Sequence, residues 1–486
     1  MRNAQPRARR SRSLVAMGAL LGSGLLTAAG STAPVLQAVV TYDGAQVTVP
    51  GVQVQTSLPG VRAAVVRGNA ASLARLARTP GVRGLAPDDA VTLTGQKEDN
   101  DKRAGVLAST GLAGAGRPDA GAGVRVAVVD TGVSDSAALS RSSGRLIDAV
   151  DTSRVREGGA IRTQGTFADG FGHGTFMASL VAGGPVRGSG GKAVGVAPGA
   201  TVLVVRVADR DGSTSLSEVV AGLDWIASNP GSVDVANLSF SHERPGHAYG
   251  ADPLTDAVDR VRDMGVTMVV SAGNERGRVG DPGFDPRVLT VGAADLSARR
   301  VRVAGFSGSA KVAGVAKPDL VANGVHVLGV LPPGSVIALA NPAAKADGAL
   351  SRGSGTSQAT AITSGVAAML LAEHPDATPA QVKASLRSAA SPLRGSRDGA
   401  GLLGTTDRLV SGPDGTALDG SGDLTGEGGF DANSWSANSW SANSWSANSW
   451  SANSWSANSW SANSWSANSW SANSWSSSGV TAQGDD

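Results

Sequence analysis

The sequence has no cysteine among its 486 residues, which excludes disulfide bridges, thiolate metal sites and a cysteine nucleophile. Charged residues make up only 17% of the chain and hydrophobic residues 41%, so wholesale disorder is a poor fit. Aromatic residues are scarce at 4%. We therefore expect a largely globular chain whose stability comes from the packing of aliphatic side chains.

The chain also lacks an excess of positive charge beyond its first residues. The formal net charge is +2, but five arginines precede residue 13, so the rest of the chain carries −3. Nucleic-acid binding depends on a basic surface. We therefore expect no nucleic-acid partner.

Residues 1–30 have the outline of a signal peptide. Their arginines precede an apolar run at 14–29, which is interrupted by Ser23 and followed by small residues. An uncleaved membrane anchor needs about 20 apolar residues, and this run has fewer. We expect a secreted, extracellular protein with no membrane span after signal removal.

A small α+β unit is predicted at residues 35–95. Short β-rich stretches at 38–42, 46–49 and 63–66 accompany a helical segment at 70–78, which a Pro-Gly pair ends. The polar segment that follows, 96–106, reads as an exposed linker and a processing region.

Residues 107–410 alternate buried strands with helices, the pattern of a mostly parallel sheet covered on both faces. The predicted helices are 216–227 and 254–264, and the predicted strands are the β-branched runs 124–129, 202–207, 233–238 and 266–270. A capping box at Thr378 and Gln381 marks another helix start. The expected fold class is α/β.

The C-terminal part is of low complexity. A Gly/Asp-rich linker at 411–430 precedes Ala-Asn-Ser-Trp-Ser repeats at 431–476 and a polar C-terminus at 477–486. The period of five matches neither a strand nor a helix. Three interpretations stay open: a disordered or loosely collapsed tail, an adhesive tail that binds wall polysaccharide or protein through its indole rings, and an underived repeat fold.

Three short motifs stand at junctions where an α/β fold exposes side chains. Asp130 opens an Asp-Thr-Gly motif at the carboxyl end of a predicted strand, where open α/β sheets build their sites. His173 opens a predicted helix that runs towards residue 182, and the glycines on both sides leave its imidazole uncrowded, as a general base requires. Ser357 lies at a predicted helix start, near the positive end of the helix dipole. Taken singly, the aspartate also fits a turn and the serine a helix cap.

The remaining histidines indicate no metal centre. His242, His247, His326 and His374 lie in loops or polar stretches, and we expect them on the surface. Acidic loops are compatible with structural calcium, but no Asp-x-Asp-x-Asp-Gly loop occurs. We expect no metal in the site and no required cofactor.

In combination, the order Asp130, His173, Ser357, with Ser-Ala-Gly-Asn at 271–274 between the last two, resembles the subtilisin-like serine peptidases (subtilases, peptidase S8). The resemblance runs from about residue 104 to 390 and includes Lys-Pro-Asp at 317–319. The unit at 35–95 looks like the inhibitory prodomain of that family.

The resemblance implies a three-layer αβα catalytic domain and assigns roles. Ser357 would attack the peptide carbonyl, His173 would transfer its proton, and Asp130 would fix the imidazole. Asn274 would donate to the oxyanion together with the Ser357 backbone. The partners would be polypeptide substrates, and the prodomain would act as an intramolecular inhibitor.

The resemblance also locates a substrate pocket whose walls would be formed by Ser239, Phe240, Ser241, Ser271, Ala272 and Gly273. Phe240 and Ser241 depart from the usual Ser-Leu-Gly of the first wall, which predicts a narrower pocket or shifted backbone and selective cleavage. Asn323 and Ala361 replace usual prolines, which predicts a loss of rigidity rather than of chemistry.

The sequence therefore predicts a secreted serine endopeptidase made as a self-processing zymogen, with cell-wall association through the repeat tail as one reading. The alternative is a catalytically idle, protease-like scaffold that carries an adhesive tail.

Overall fold

A computed structural model of the chain describes residues 34–94, 105–242, 252–312, 315–393, 395 and 397–412. The predicted signal peptide at 1–30, nearly all of the linker at 96–106 and the predicted segments after residue 412 lie outside the described residues. Within them, no helix combines the length and apolar character needed to cross a bilayer.

The N-terminal unit is a four-stranded antiparallel sheet with one helix. Its elements are β1 (Leu36–Tyr42), β2 (Val52–Leu58), β3 (Ala63–Gly68), α1 (Ala70–Arg78) and β4 (Val82–Pro87), and the strand order is β2-β3-β1-β4. The side chain of Asn69 caps α1 by accepting from the Ser72 N–H, and Leu73 and Leu76 face the small core. The predicted helix is confirmed, whereas the strand expected at 46–49 is wrong because the pairing strand is β2.

The rest of the chain forms a larger α/β unit. Its strands are β5 (Ala90–Leu93), β6 (Val106–Leu107), β7 (Arg125–Asp130), β8 (Leu146–Asp151), β9 (Thr201–Arg206), β10 (Thr214–Ser215), β11 (Val235–Leu238), β12 (Phe240–Ser241), β13 (Thr267–Ser271), β14 (Leu289–Asp295), β15 (Arg302–Val303), β16 (Ala310–Val312), β17 (Val315–Lys317), β18 (Leu320–Asn323), β19 (Val327–Val330) and β20 (Leu350–Gly353). Its helices are α2 (His173–Ala182), α3 (Leu216–Ser228), α4 (Pro253–Asp263), α5 (Val336–Ala340), α6 (Thr356–Glu373) and α7 (Pro379–Ala389).

The main sheet has eight strands in the order β15-β14-β13-β11-β7-β9-β8, with β18 beside β14. All of its pairings are parallel except that of β15. From β7 the chain continues to β8 and β9 on one side of the sheet and to β11, β13 and β14 on the other. The order in which strands are added to the sheet therefore reverses between β7 and β11. In an open α/β sheet, the functional site forms at the carboxyl ends of the strands on the two sides of such a reversal.

Helices cover both faces of this sheet. Helices α2 and α6 pack together on one face, and α3 and α4 pack together on the other. The central strands β7, β11 and β13 are buried except at the first residue of β7, because both of their faces contact helices. These layers confirm the predicted three-layer α/β class, and the predicted strands and helices match the observed ones to within two residues.

The N-terminal unit sits on α3 and α4. The Thr41 hydroxyl donates to Asp256 Oδ2 at 2.7 Å, and the Val61 N–H donates to Asp224 Oδ1 at 3.1 Å. From β4 the chain continues into β5, which pairs antiparallel with β10 on one side and β12 on the other. The strand that directly follows the N-terminal sheet is therefore built into the larger unit.

Candidate active site

Asp130 and His173 form a buried pair at the centre of the main sheet. Asp130 is the last residue of β7 and His173 the first of α2, and both side chains are fully buried. The His173 Nδ1 lies 2.8 Å from each carboxylate oxygen of Asp130. Because a carboxylate accepts hydrogen bonds, Nδ1 carries the proton and Nε2 is left as the basic nitrogen.

Asp169 holds this pair in place and was missed by the sequence analysis. It is buried and accepts hydrogen bonds from Gly172 N–H at 2.6 Å, from Thr175 N–H at 2.8 Å and from the Thr131 hydroxyl at 2.8 Å. Burial raises the pKa of Asp169, and these donors act in the opposite direction. Its place four residues before His173, at a helix start, is the signal that could have identified it.

Ser357 is the second residue of α6 and lies beside the carboxyl end of β11. Gly355, directly before the helix, has φ +149°, a conformation that favours glycine. The Ser357 hydroxyl donates to the Ser239 carbonyl at 3.3 Å and lies 2.8 Å from the hydroxyl of Thr94. Helices α2 and α6 pack together, so His173 and Ser357 stand in the first turns of adjacent helices.

Asn274 presents amide hydrogens next to Ser357. Its Oδ1 accepts hydrogen bonds from the N–H and from the hydroxyl of Thr356, both at 3.0 Å, and these donors fix which end of the amide faces them. Its Nδ2 is buried and makes no hydrogen bond within the described part of the chain. A buried N–H donor without an acceptor destabilises the folded protein, unless a bound group accepts a hydrogen bond from it.

The two predicted pocket walls lie side by side. The Ser271 hydroxyl donates to the Phe240 carbonyl at 3.0 Å, and the Ala272 and Gly273 backbones continue the wall at the end of β13. The Phe240 ring is fully buried and belongs to the hydrophobic core. The Ser241 hydroxyl lies over Gly280, because a Cβ on Gly280 would stand only 2.1 Å from it.

Strand β5 fills the space between β10 and β12, which we call the cleft. Leu93 pairs with Phe240 and Val91 with Thr214. The Thr94 N–H donates to the Ser239 carbonyl at 3.1 Å, and its hydroxyl donates to Ser271 Oγ at 2.8 Å. The chain therefore runs past Ser357 as an extended strand that is hydrogen-bonded on both sides.

The other histidines differ from expectation. His242 and His326 are buried rather than on the surface, so that prediction is wrong for both. The backbone of His242 pairs with that of Asp281, and the His326 N–H donates to the Ser354 hydroxyl, which ties both residues to distant parts of the chain. His374 is partly exposed at the end of α6, and His247 lies outside the described residues.

Comparison with known proteins agrees with this architecture. Residues 121–424 match the model of the subtilase family, peptidase S8. The serine protease AprX of Bacillus subtilis (strain 168) is 32% identical over 282 residues, which cover 55% of this chain and 61% of AprX. A cuticle-degrading serine protease of Arthrobotrys oligospora is 36% identical over 180 residues, 37% of this chain and 39% of that protein.

Among solved structures, fervidolysin from Fervidobacterium pennivorans, a keratinolytic enzyme related to subtilisin, superposes with a TM-score of 0.56. At 22% identity, over 76% of this chain and 60% of fervidolysin, this likeness concerns the fold alone. The chain spans about three fifths of the length of AprX. Because the family match covers well over half of the sequence, the chain belongs to the subtilase family.

Proposed function

We propose that the chain is a serine endopeptidase synthesised as a zymogen whose N-terminal unit, the prodomain, blocks the cleft. The observation that carries the proposal is the set of backbone hydrogen bonds that hold Thr94 beside Ser357. Its N–H donates to the Ser239 carbonyl, and its own carbonyl accepts from the Ser357 N–H at 3.3 Å. A bound peptide substrate would make the same backbone contacts by adding a strand between β10 and β12.

The proposed chemistry is acyl transfer to Ser357. Its Oγ attacks the carbonyl carbon while His173 Nε2 takes the hydroxyl proton, and the C–N bond then breaks as Nε2 returns that proton to the leaving amine. Water releases the acyl group in a second round that uses the same base. Asp130 holds the Nδ1–H and stabilises the imidazolium that forms in each round.

The developing oxyanion would be bound by two donors. One is the Ser357 N–H, which already donates to the Thr94 carbonyl, and the other is the buried Nδ2 of Asn274. Because Thr356 fixes the amide before any substrate arrives, no reorganisation is needed when the charge develops.

The same contacts favour a specific processing site. A cut at 97–103, within the linker at 96–106, was the expectation from the sequence. The Thr94 carbonyl, however, already lies in contact with the Ser357 N–H. We therefore propose that self-cleavage breaks the peptide bond that follows Thr94.

Secretion and wall association are part of this proposal. The leader at 1–30 supports export, and a prodomain that blocks the cleft until the enzyme is outside suits an exported peptidase. Binding of wall material by the repeats at 431–476 stays one of the interpretations of the tail. A role for structural calcium also stays untested.

The idle-scaffold alternative is not favoured. A scaffold has no use for an oriented but unsatisfied amide at Asn274, nor for a buried carboxylate–imidazole pair at the end of β7.

The test is full-length protein produced alone, with Ser357→Ala as its matched variant. We expect wild type to yield a new N-terminus at residue 95 and to form a fluorophosphonate adduct on Ser357, and the variant to stay uncut. Wild-type protein that folds but neither cuts itself nor takes up the label would support the scaffold. Processing of the variant to the same N-terminus would assign the cut to another protease.

A further inference from the structure

A buried cluster of three potential metal ligands lies next to β12, which is part of the first predicted pocket wall. It consists of His242, Asp252 and Asp281, and one ligand atom from each lies within 4.8 Å of the others. His242 and Asp252 are each 1% exposed and Asp281 is 4% exposed. Two carboxylates and an imidazole in a space that excludes water require a compensating positive charge, a shared proton or both.

Asp281 points to a missing ligand. Its Oδ1 accepts a hydrogen bond of 2.5 Å from the Thr255 hydroxyl. Its Oδ2 is buried and receives no hydrogen bond from any residue that the structure describes. An oxygen in such a position is poorly satisfied as the chain stands.

The backbone holds the three residues in a fixed frame. His242 and Asp281 exchange two hydrogen bonds, from His242 N–H to the Asp281 carbonyl at 2.9 Å and from Asp281 N–H to the His242 carbonyl at 3.0 Å. Asp252 caps α4 through its Oδ1, which accepts from the Leu254 N–H at 2.8 Å. Thr255, on the first turn of α4, orients the Asp281 carboxylate. Ligands supported in this way bind a metal without much loss of side-chain freedom.

We propose that His242, Asp252 and Asp281 bind one divalent transition-metal ion, for which zinc is the best chemical match. Zinc is commonly held by imidazole nitrogen and carboxylate oxygen, with a fourth position left for water, whereas calcium and magnesium prefer shells made of oxygen alone. Zinc bonds of about 2.0–2.2 Å place tetrahedral ligand atoms roughly 3.5 Å apart. Because the ligand atoms lie within 4.8 Å of one another, the cluster would close by at most about 1.3 Å around the ion, a change within reach of side-chain rotation.

The position of the cluster gives the ion a consequence for substrate. His242 directly follows the pocket wall β12, and Asp281 directly follows Gly280, over which the Ser241 hydroxyl lies. An ion bound to both residues and to Asp252 would hold β12 and the segment at Gly280 against the start of α4. This departs from the absence of metal that the sequence led us to expect.

The experiment uses the full-length Ser357→Ala protein, so that its outcome does not depend on peptidase activity. Metal-free protein is titrated with zinc, and cobalt(II) is substituted to read the coordination geometry from its visible absorption. We expect one ion per chain, four-coordinate cobalt bands and a raised thermal midpoint. Asp281→Asn should abolish these signals.

Two further variants keep the test decisive if Asp281→Asn folds poorly. Thr255→Val keeps all three ligands and removes only the hydroxyl that orients Asp281, so it should weaken zinc binding by about 10–100-fold. His374→Asn, a histidine at the end of α6, should bind zinc like the parent protein. Equal binding by the parent, Thr255→Val and Asp281→Asn proteins would overturn the proposal. A parent protein that binds no zinc, together with an Asp281→Asn variant of higher thermal midpoint than the parent, would also overturn the proposal. In that case a proton shared within the cluster would account for its burial.

Discussion

The backbone N–H of Ser357 donates to the carbonyl oxygen of Thr94 at 3.3 Å, and the hydroxyl oxygens of the same two residues lie 2.8 Å apart. The two residues are 263 positions apart in the chain. Their contact ties the last described residue of the N-terminal unit to the start of α6, and it makes the position of self-cleavage open to test.

Thr94→Pro should prevent cleavage after residue 94. Proline has no N–H, so the 3.1 Å bond to the Ser239 carbonyl is lost, and the carbonyl of residue 94 is no longer held against Ser357. Gel analysis and N-terminal sequencing of protein produced alone would measure the effect. Thr94→Val is the matched control, because it keeps the N–H and should still be cut at the same bond. Unchanged cutting of the proline variant would show that this backbone contact is dispensable.

Asn274→Asp should lower kcat by about 10²–10³, the magnitude reported for losing such a donor in subtilisin, a relative of this chain. The carboxylate can still accept from Thr356, but its second oxygen repels the oxyanion where Nδ2 donated. KM should change little, because the donor acts mainly in the transition state.

The control for this variant is Thr356→Val. It removes one of the two bonds that orient Asn274 and leaves the donor itself in place. Steady-state kinetics on one peptide would show a much smaller loss of kcat for Thr356→Val. Comparable losses for the two variants would mean that amide orientation, rather than the donor, dominates.

Ser241→Gly should broaden the cleavage preference toward larger side chains. The Ser241 hydroxyl lies 2.1 Å from where a Cβ on Gly280 would stand and 3.7 Å from one on Gly273, so its removal would leave more room beside these two glycines. A difference of one small group in a pocket changes kcat/KM by about 10–200-fold. Sequencing the products from a random peptide library would measure the change. Phe240→Leu should leave the preference unaltered, because that ring is buried in the core.

The sequence predicted local features well because they depend on nearby residues. The β-branched runs placed β7, β9, β11 and β13 to within two residues, and the capping box at Thr378 is present in α7. Asp130 was assigned to the end of a strand and His173 to a helix start, and both lie there. Such features follow from the spacing of apolar residues along the chain and from the backbone N–H groups at helix starts, which need hydrogen-bond acceptors.

Long-range contacts could not be predicted from the hydrophobic pattern of the sequence. Strand β5 has only four residues and pairs with segments more than 120 positions further along the chain, so nothing near it in the sequence indicates where it lies. The burial of His242 depends on its pairing with Asp281, which no periodicity records. These contacts form through tertiary packing, and they are where the N-terminal unit meets the cleft and where the proposed ion would bind.

The pH dependence of stability should contain a contribution from the ionisation of Glu218, the acidic member of the capping box that starts α3. Burial and the nearby Asp88 carboxylate of the prodomain raise the pKa of Glu218 to about 8, above the ordinary 4.5, although hydrogen bonds from Ser215 oppose the shift. Folding therefore favours the protonated form. The stability contributed by that protonation is fully present below pH 4.5 and is lost as pH rises toward 8.

Glu218→Gln in the Ser357→Ala background should remove this dependence, because the amide oxygen can still accept from Ser215 and carries no charge. The measurement is the thermal midpoint of the full-length protein from pH 5 to 9. We expect the thermal midpoint of the Glu218 protein to fall relative to that of the glutamine variant as pH rises to about 8. Above that pH, the difference between the two midpoints should stay constant. Because Asp88 and Glu218 repel, ionisation of Glu218 should also loosen the prodomain from α3, where Asp88 accepts from the N–H and hydroxyl of Ser217. Midpoints of the two proteins that run parallel throughout would show that Glu218 keeps one charge state over this range.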